Sequence, residues 1–130
     1  MAGASKLPAL SDAQWEIMNL IWDRESCTVS DIWKILNQRR GVSRNTVQTL
    51  IVRLEEKGWL SHREEESSFV YVPTVSREES QQATVARFIQ TVFDGSPEGL
   101  VLTLLQDKTV SKSEAERIRK LLKSHGKEKS

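Results

Sequence analysis

Cysteine occurs once, at Cys27, so no disulfide can form within the chain. Histidine occurs only at His62 and His125, far apart, and neither stands near the cysteine. Ligands at zinc spacing are therefore missing. No glycine-rich phosphate loop and no carboxylate pair in a recognisable catalytic setting is found either. Neither an enzyme, a metal site nor a cofactor is expected. No apolar run approaches membrane-spanning length. The opening MAGASKLPAL carries one lysine and no long apolar centre, so it is not expected to be a signal peptide. A lone thiol without a membrane segment fits the cytoplasm.

An excess of one charge is also missing: 19 basic residues face 18 acidic ones, for a net charge of +1. Their distribution says more. From Ile32 to Leu54 there are five basic residues (Lys34, Arg39, Arg40, Arg44, Arg53) and no acidic one. Glu64-Glu65-Glu66 then reverses the sign.

At 130 residues there is room for one domain or two small ones. Residues 1–9 read as a flexible arm, with Leu7 and Leu10 able to pack back. Ser11-Asp12-Ala13-Gln14 is a capping box. The helix it opens carries Trp15, Met18, Ile21 and Trp22 at three- and four-residue steps. A second box, Thr28-Val29-Ser30-Asp31, opens a helix with Ile32, Ile35 and Leu36 inward, ended by Gly41. Ser43 caps a third helix whose inner stripe is Val47, Leu50, Ile51 and Leu54, with Gly58 after it. Residues 59–64 and 68–73 read as two short strands, joined through Glu65-Glu66-Ser67 and ended by Pro73. Three helices with a tight joint, followed by a hairpin, make a winged helix-turn-helix over 10–75.

Beyond Ser76 the pattern is helical. Ser76-Arg77-Glu78-Glu79 is another box, and its helix carries Val85, Phe88, Ile89, Val92 and Phe93 before Gly95. Ser96-Pro97 starts a helix with Leu100, Val101, Leu102, Leu104 and Leu105, apolar nearly all round. Ser111 opens a last helix with Ala115, Ile118, Leu121 and Leu122. Three such helices make a thin core alone, and a second copy of the chain would cover the surplus. Residues 76–125 are thus expected to be a dimerisation region, with the dimer contacts on Phe88, Ile89, Val92, Phe93, Leu100, Val101, Leu104, Leu105, Ile118, Leu121 and Leu122. Residues 126–130 are expected to be a disordered tail. The whole is mostly α with a small β-hairpin.

On a helical wheel the inner stripe of the third helix turns Asn45, Thr49, Val52 and Glu56 outward, flanked by Thr46, Gln48 and Arg53, with Arg44 near the start. Asn and Gln can serve adenine bidentately in the major groove. The two threonines offer hydroxyls and methyls, and Val52 suits a thymine methyl as well as it suits plain exposure. Arg44 and Arg53 suit phosphates or guanine edges. The backbone N–H groups near Ser43 suit a phosphate. Arg39 and Arg40, in the joint, are within reach of the DNA backbone, and Arg63 stands at the base of the wing. Two such units on a helical clamp would read a near-palindrome on one face of the duplex.

LSDAQWEIMNLIW, TVSDIWKIL, SRNTVQTLIVRLEEKGWL and FVYVP, together spanning most of the chain, resemble the penicillinase-repressor family. The resemblance implies a homodimeric repressor that binds inverted repeats in promoters and has no cofactor. It puts the recognition residues on Arg44, Asn45, Thr46, Gln48, Thr49 and Arg53. In the family's β-lactam branch a membrane sensor linked to a protease triggers repressor cleavage between Asn and Phe. The matching bond here is Thr103–Leu104, and both partners differ. The copper-responsive branch ends in a Cys-x-Cys pair, which this chain lacks. Its wing is acidic where members carry Lys, Gly and Arg, and phosphate would repel it. The acidic wing leaves one rival: a winged helix that binds a protein and does not read DNA.

Overall fold

A computed structural model describes residues 3–106 and 110–129. Met1 and Ala2 of the expected arm, and Ser130 of the expected tail, lie outside the described residues. A short 3-10 turn, Ala4–Lys6, precedes α1 (Asp12–Arg24), α2 (Val29–Arg40) and α3 (Arg44–Glu56). The strands β1 (Leu60–Glu65) and β2 (Ser68–Pro73) follow, then α4 (Arg77–Val92), α5 (Pro97–Gln106) and α6 (Lys112–Lys129). The chain divides into two compact units, Met1–Val85 and Ala86–Ser130. Among the described residues no helix is long and apolar enough to cross a membrane.

The caps form where side chains permit them. Ser11 and Gln14 bond reciprocally at the start of α1, and Thr28 and Asp31 do so at α2. Gly41 ends α2 in the left-handed region (φ 64°), its N–H donating to the Asn37 carbonyl at 2.8 Å. The box at Ser76 is half formed: Ser76 Oγ accepts from the Glu79 N–H at 3.1 Å, while the buried Ser80 hydroxyl donates to the Ser76 carbonyl at 2.7 Å.

The first unit is built around one core. Ile17, Met18 and Ile21 of α1 meet Ile32 and Leu36 of α2, and Val47, Ile51 and Leu54 of α3, closed by Trp59, Leu60 and Tyr71. The face of α1 is turned relative to the Trp15–Trp22 stripe expected from spacing. Met18 and Ile21 are buried as expected, but Ile17 and Leu20 join them, and the two indoles ride on the core edge instead, 5.9 Å apart, with Trp15 edge-on to Trp59. Leu50 and Ile35 are likewise only partly buried.

The arm is held, not loose. Trp59 Nε1 donates to the Pro8 carbonyl at 2.9 Å, and Lys57 Nζ to the Ala9 carbonyl at 3.0 Å. Leu7 and Leu10 pack on the core. Lys57 also reaches Gln14 Oε1 at 3.0 Å, the atom that closes the first capping box. The far end departs too, since α6 runs on to Lys129, beyond the residue 125 at which a tail was expected.

The hairpin is tighter than the sequence suggests. Glu65 pairs with Ser68, so only Glu66 and Ser67 connect the strands, both at positive φ (47° and 68°). That is the pattern of a type I′ turn, which favours Asn-Gly. A residue with a Cβ in the left-handed region costs roughly 1–2 kcal/mol. Ser67→Gly is therefore expected to stabilise the first unit by about 1 kcal/mol, read as a higher thermal midpoint. An unchanged or lower midpoint would show that the turn is unstrained.

A bridge to the segment before α2 steadies β2. The Cys27 N–H donates to the Tyr71 carbonyl at 3.1 Å, and the Tyr71 N–H to the Cys27 carbonyl at 2.8 Å. Burial, aided by Asp31, pushes the Cys27 thiol up despite the opposing Arg24. Burial, then Glu55, pushes the Tyr71 phenol up. Between the ordinary and the raised value, the unfolded chain has lost its proton and the folded chain has kept it. Stability therefore falls as pH rises. The fall should begin near the ordinary thiol value of about 8.5 and steepen near the phenol value of about 10. Denaturant midpoints across that range check it, and Cys27→Ser should remove the earlier part only.

In the second unit Phe88 stands edge-on to Phe93, their ring centres 5.6 Å apart. A Cβ at Gly99 would come within 3.1 Å of the Phe93 ring, so glycine permits this approach.

Candidate nucleic-acid interface

The polar face of α3 is free because its apolar stripe is fully spent. Val47, Ile51 and Leu54 have no exposure, which turns Asn45, Gln48, Thr49, Val52, Arg53 and Glu56 to the opposite side. These six line one shallow open recess of about 300 Å³. Val52 is 38% exposed among them. Ser43 sits before the helix as its cap and accepts from the Thr46 N–H at 3.2 Å. The Thr46 hydroxyl lies 2.9 Å from Ser43 Oγ, so this threonine is partly committed to the cap.

A second recess of about 330 Å³ opens beside the first. Arg44 and Gln48 of α3 share it with Thr28, Val29 and Ser30 at the start of α2 and with Ser67, Ser68, Phe69 and Tyr71 of the hairpin. Gln48 faces both recesses. Arg44, Asn45, Gln48, Thr49 and Arg53 therefore line two adjoining recesses, with the wing as one wall of the second, while Thr46 is exposed but lines neither.

The other arginines are engaged elsewhere. Arg39 and Arg40 end α2, and both bind Glu16 of α1, at 3.3 and 2.8 Å. Arg63 lies along Glu65 of its own strand at 3.3 Å. Among the described residues neither Arg44 nor Arg53 forms an ion pair within 4.0 Å. The four arginines of the basic block thus separate into a paired couple, Arg39 and Arg40, and a couple without an ion pair among the described residues, Arg44 and Arg53.

The wing is fastened to the last turn of α3 by residues that sequence inspection missed as a group. His62 Nδ1 lies 2.6 Å from Glu55 Oε2. The imidazole stacks on Phe69, with ring centres 4.2 Å apart, and lies 5.5 Å from Tyr71. His62 is directly opposite Tyr71 in the register. Strand alternation places Phe69 and Tyr71 on one face, which was the available signal.

The residues expected to join two chains keep much of their apolar surface in the second unit and at the end of α4. Phe88 and Val92 of α4, Leu104 and Leu105 of α5, and Leu121 and Leu122 of α6 are exposed. Ile89, Phe93, Leu100, Val101 and Ile118 are half-buried. The Thr103–Leu104 bond lies inside α5, where the Thr103 hydroxyl donates to the Gly99 carbonyl at 2.9 Å.

The model of a family described as penicillinase repressor matches residues 10–124 of the chain. The penicillinase repressor of Bacillus licheniformis is 30% identical over 120 residues, 92% of this chain and 94% of that protein. The methicillin resistance regulatory protein MecI of Mammaliicoccus sciuri is 30% identical over 118 residues, 91% of this chain and 96% of that protein. A solved relative is the monomeric form of Bacillus licheniformis BlaI in complex with the blaP half-operator. It shares 36% identity and a TM-score of 0.50 over 57% of this chain and 90% of its own.

Proposed function

The chain belongs to the penicillinase repressor family, and from that membership we propose that it is a homodimeric, sequence-specific DNA-binding repressor that reads an inverted-repeat operator through α3. The observation that carries this reading is the outer face of α3. Asn45, Gln48, Thr49 and Arg53 are exposed there together, beside Arg44, which forms no ion pair among the described residues. A helix of this kind enters the major groove, where Asn or Gln reads adenine and Arg reads guanine or holds a phosphate. Ser43 and the first N–H groups of α3 face the same duplex, and Arg39, Arg40 and Arg63 give weaker help, since each is already held by an acid. The division proposed with it is an arm over 1–9, the DNA-binding unit over 10–75 and the dimerisation helices over 76–125, with α6 continuing to Lys129 through most of the segment 126–130 expected as a tail.

The exposed leucines and aromatics of α4, α5 and α6 support the dimer, because water is a poor neighbour for so many. Release by a sensor-linked protease at Thr103–Leu104 belongs to the same proposal. Leu104 is exposed, and one local unwinding of α5 would present the bond. Cutting there would divide the clamp and lower the affinity for two half-sites. As a regulator of transcription, the protein is not an enzyme and works in the cytoplasm beside the chromosome. The exposed Glu64, Glu65 and Glu66 favour the rival reading, a module that binds a basic protein surface.

Salt separates the two. A duplex selected by the purified protein from a random pool serves as probe. Two free arginines from each of two protomers predict a loss of affinity on the order of a hundredfold between about 50 and about 200 mM salt. Thr49→Ala should weaken the selected duplex more than a random one. A flat salt response with no enriched sequence would favour the protein-binding module.

A further inference from the structure

We propose that the outer face of α6 is a second nucleic-acid contact, which holds duplex backbone without regard to sequence. The choice of partner rests on the dimeric DNA-binding reading above, but the residues lie outside the winged helix. The charge of the chain is divided unevenly. Residues 1–85, the unit that carries α3, hold ten basic and twelve acidic residues. Residues 86–130 hold nine and six. The unit that carries the recognition helix is therefore net negative, and the positive excess lies in the other. A duplex carries one negative charge per about 1.7 Å of its axis, so attraction to any sequence grows with the basic groups that meet phosphates.

The excess is gathered on one side of one helix. From Lys112 to Lys123, α6 carries five basic residues and two acids. On a helical wheel Ala115, Ile118, Leu121 and Leu122 form a stripe. Lys112, Arg119, Lys120 and Lys123 form an arc nearly opposite, and Glu116 is the acid that falls among them. All five of these charged residues are exposed. Among the described residues none of the four basic ones forms an ion pair within 4.0 Å.

Two simpler accounts of the arc fail. Basic residues complement the helix dipole within the last turn. Arg119, Lys120 and Lys123 all precede that turn, since α6 ends at Lys129. A face built only for water gains from acids set four residues from bases, whereas Arg119 and Lys123, four apart, repel each other. A polyanion laid along the arc turns that repulsion into attraction. The stripe is the surface that the dimeric reading assigns to a second copy. Once it is covered, α6 offers charge alone. That suits a phosphate backbone and not a lipid surface, into which the leucines would have to insert.

The test titrates the full chain against three probes across a salt series. These are a random-sequence duplex several helical turns long, a duplex one half-site long, and vesicles of phosphatidylserine and phosphatidylcholine. Replacing Arg119, Lys120 and Lys123 together by Gln should weaken the random duplex by about a hundredfold at 0.1 M salt and flatten its salt slope by roughly two to three units. Affinity for the half-site duplex, which one winged helix fills, should stay near wild type. Glu116→Lys should do the reverse and tighten the random duplex about five- to tenfold. An unchanged slope in the triple variant, or equal losses on the random and half-site duplexes, overturns the proposal. So does vesicle binding that the triple variant loses while it keeps the duplex. If circular dichroism or light scattering shows the triple variant unfolded or dissociated, Glu116→Lys decides: tighter binding supports the contact, and unaltered affinity overturns it. Should wild type enrich no sequence yet hold the random duplex through α6, the repressor reading falls and this proposal stands. Should it enrich an inverted repeat while the triple variant keeps the wild-type slope, only the role of α6 falls.

Discussion

Ending the chain after Val85 is expected to weaken binding to a duplex with two half-sites by a factor of about a hundred to ten thousand, while affinity for one half-site stays near that of the full chain. The buried cluster drawn from α1, α2, α3 and the hairpin lies wholly within the first unit, so the shortened chain keeps its core. What it loses is the tether. Linking two recognition helices makes the second binding event intramolecular, and the gain disappears when the link is cut. The removed segment is also the part that looks least complete alone. α5 is the most apolar of the helices by sequence and has no buried residue, and Leu121 of α6 is 60% exposed. Fluorescence anisotropy on both duplexes, with the mass in solution read by light scattering, checks the prediction. Undiminished binding by the fragment would mean that residues 86–130 are not the clamp.

Most of the fold is legible in the sequence because its signals are local. Ser11, Thr28 and Ser43 each stand one residue before a helix and bond three residues ahead, a relation that spacing alone reveals. The inner stripe of α3 fixes its outer face for the same reason. The signals that fail depend on partners far along the chain. Periodicity gives α1 a face of Trp15, Met18, Ile21 and Trp22. The core keeps Met18 and Ile21 of that face but takes Ile17 and Leu20 in place of the two indoles, because each indole must find an acceptor or a wet edge. Trp22 finds the carbonyl of Val75, 53 residues away. The arm looks loose in sequence because nothing within it announces that Lys57 and Trp59 will bond its carbonyls. Glu65 reads as part of the turn because Glu-Glu-Ser carries no glycine, yet the ladder extends to it and leaves strain on two residues.

The candidate site shows the same division more sharply. Which residues α3 turns outward can be read from a wheel. Which arginines are available cannot, since Glu16 lies 23 residues before Arg39 and belongs to another helix. The wing is the opposite case: its acids are plain in the sequence, but its attachment to α3 through His62 and Glu55 needs the hairpin register to be seen. The acids Glu64, Glu65 and Glu66 are exposed on the wing, and their repulsion of phosphates is largely screened beyond about 8 Å at physiological salt.

That division among the arginines gives the second large effect. Replacing Arg44 and Arg53 together by alanine should reduce affinity for the selected duplex by a hundredfold or more, at about 1–3 kcal/mol for each base-edge or phosphate interaction removed. The same double change at Arg39 and Arg40 should cost far less. Both guanidinium groups share the single carboxylate of Glu16, which offsets one of their two charges, and moving them to a phosphate would strand that carboxylate. Their side chains are about half exposed, so the pairs themselves add little to stability. Glu16→Gln supplies the reverse experiment. It releases both arginines without altering α3, and should raise affinity modestly while steepening the salt response. Mobility-shift titrations across a salt series read all three variants at once. Equal losses for the two arginine pairs would move the interface from the outer face of α3 toward the end of α2.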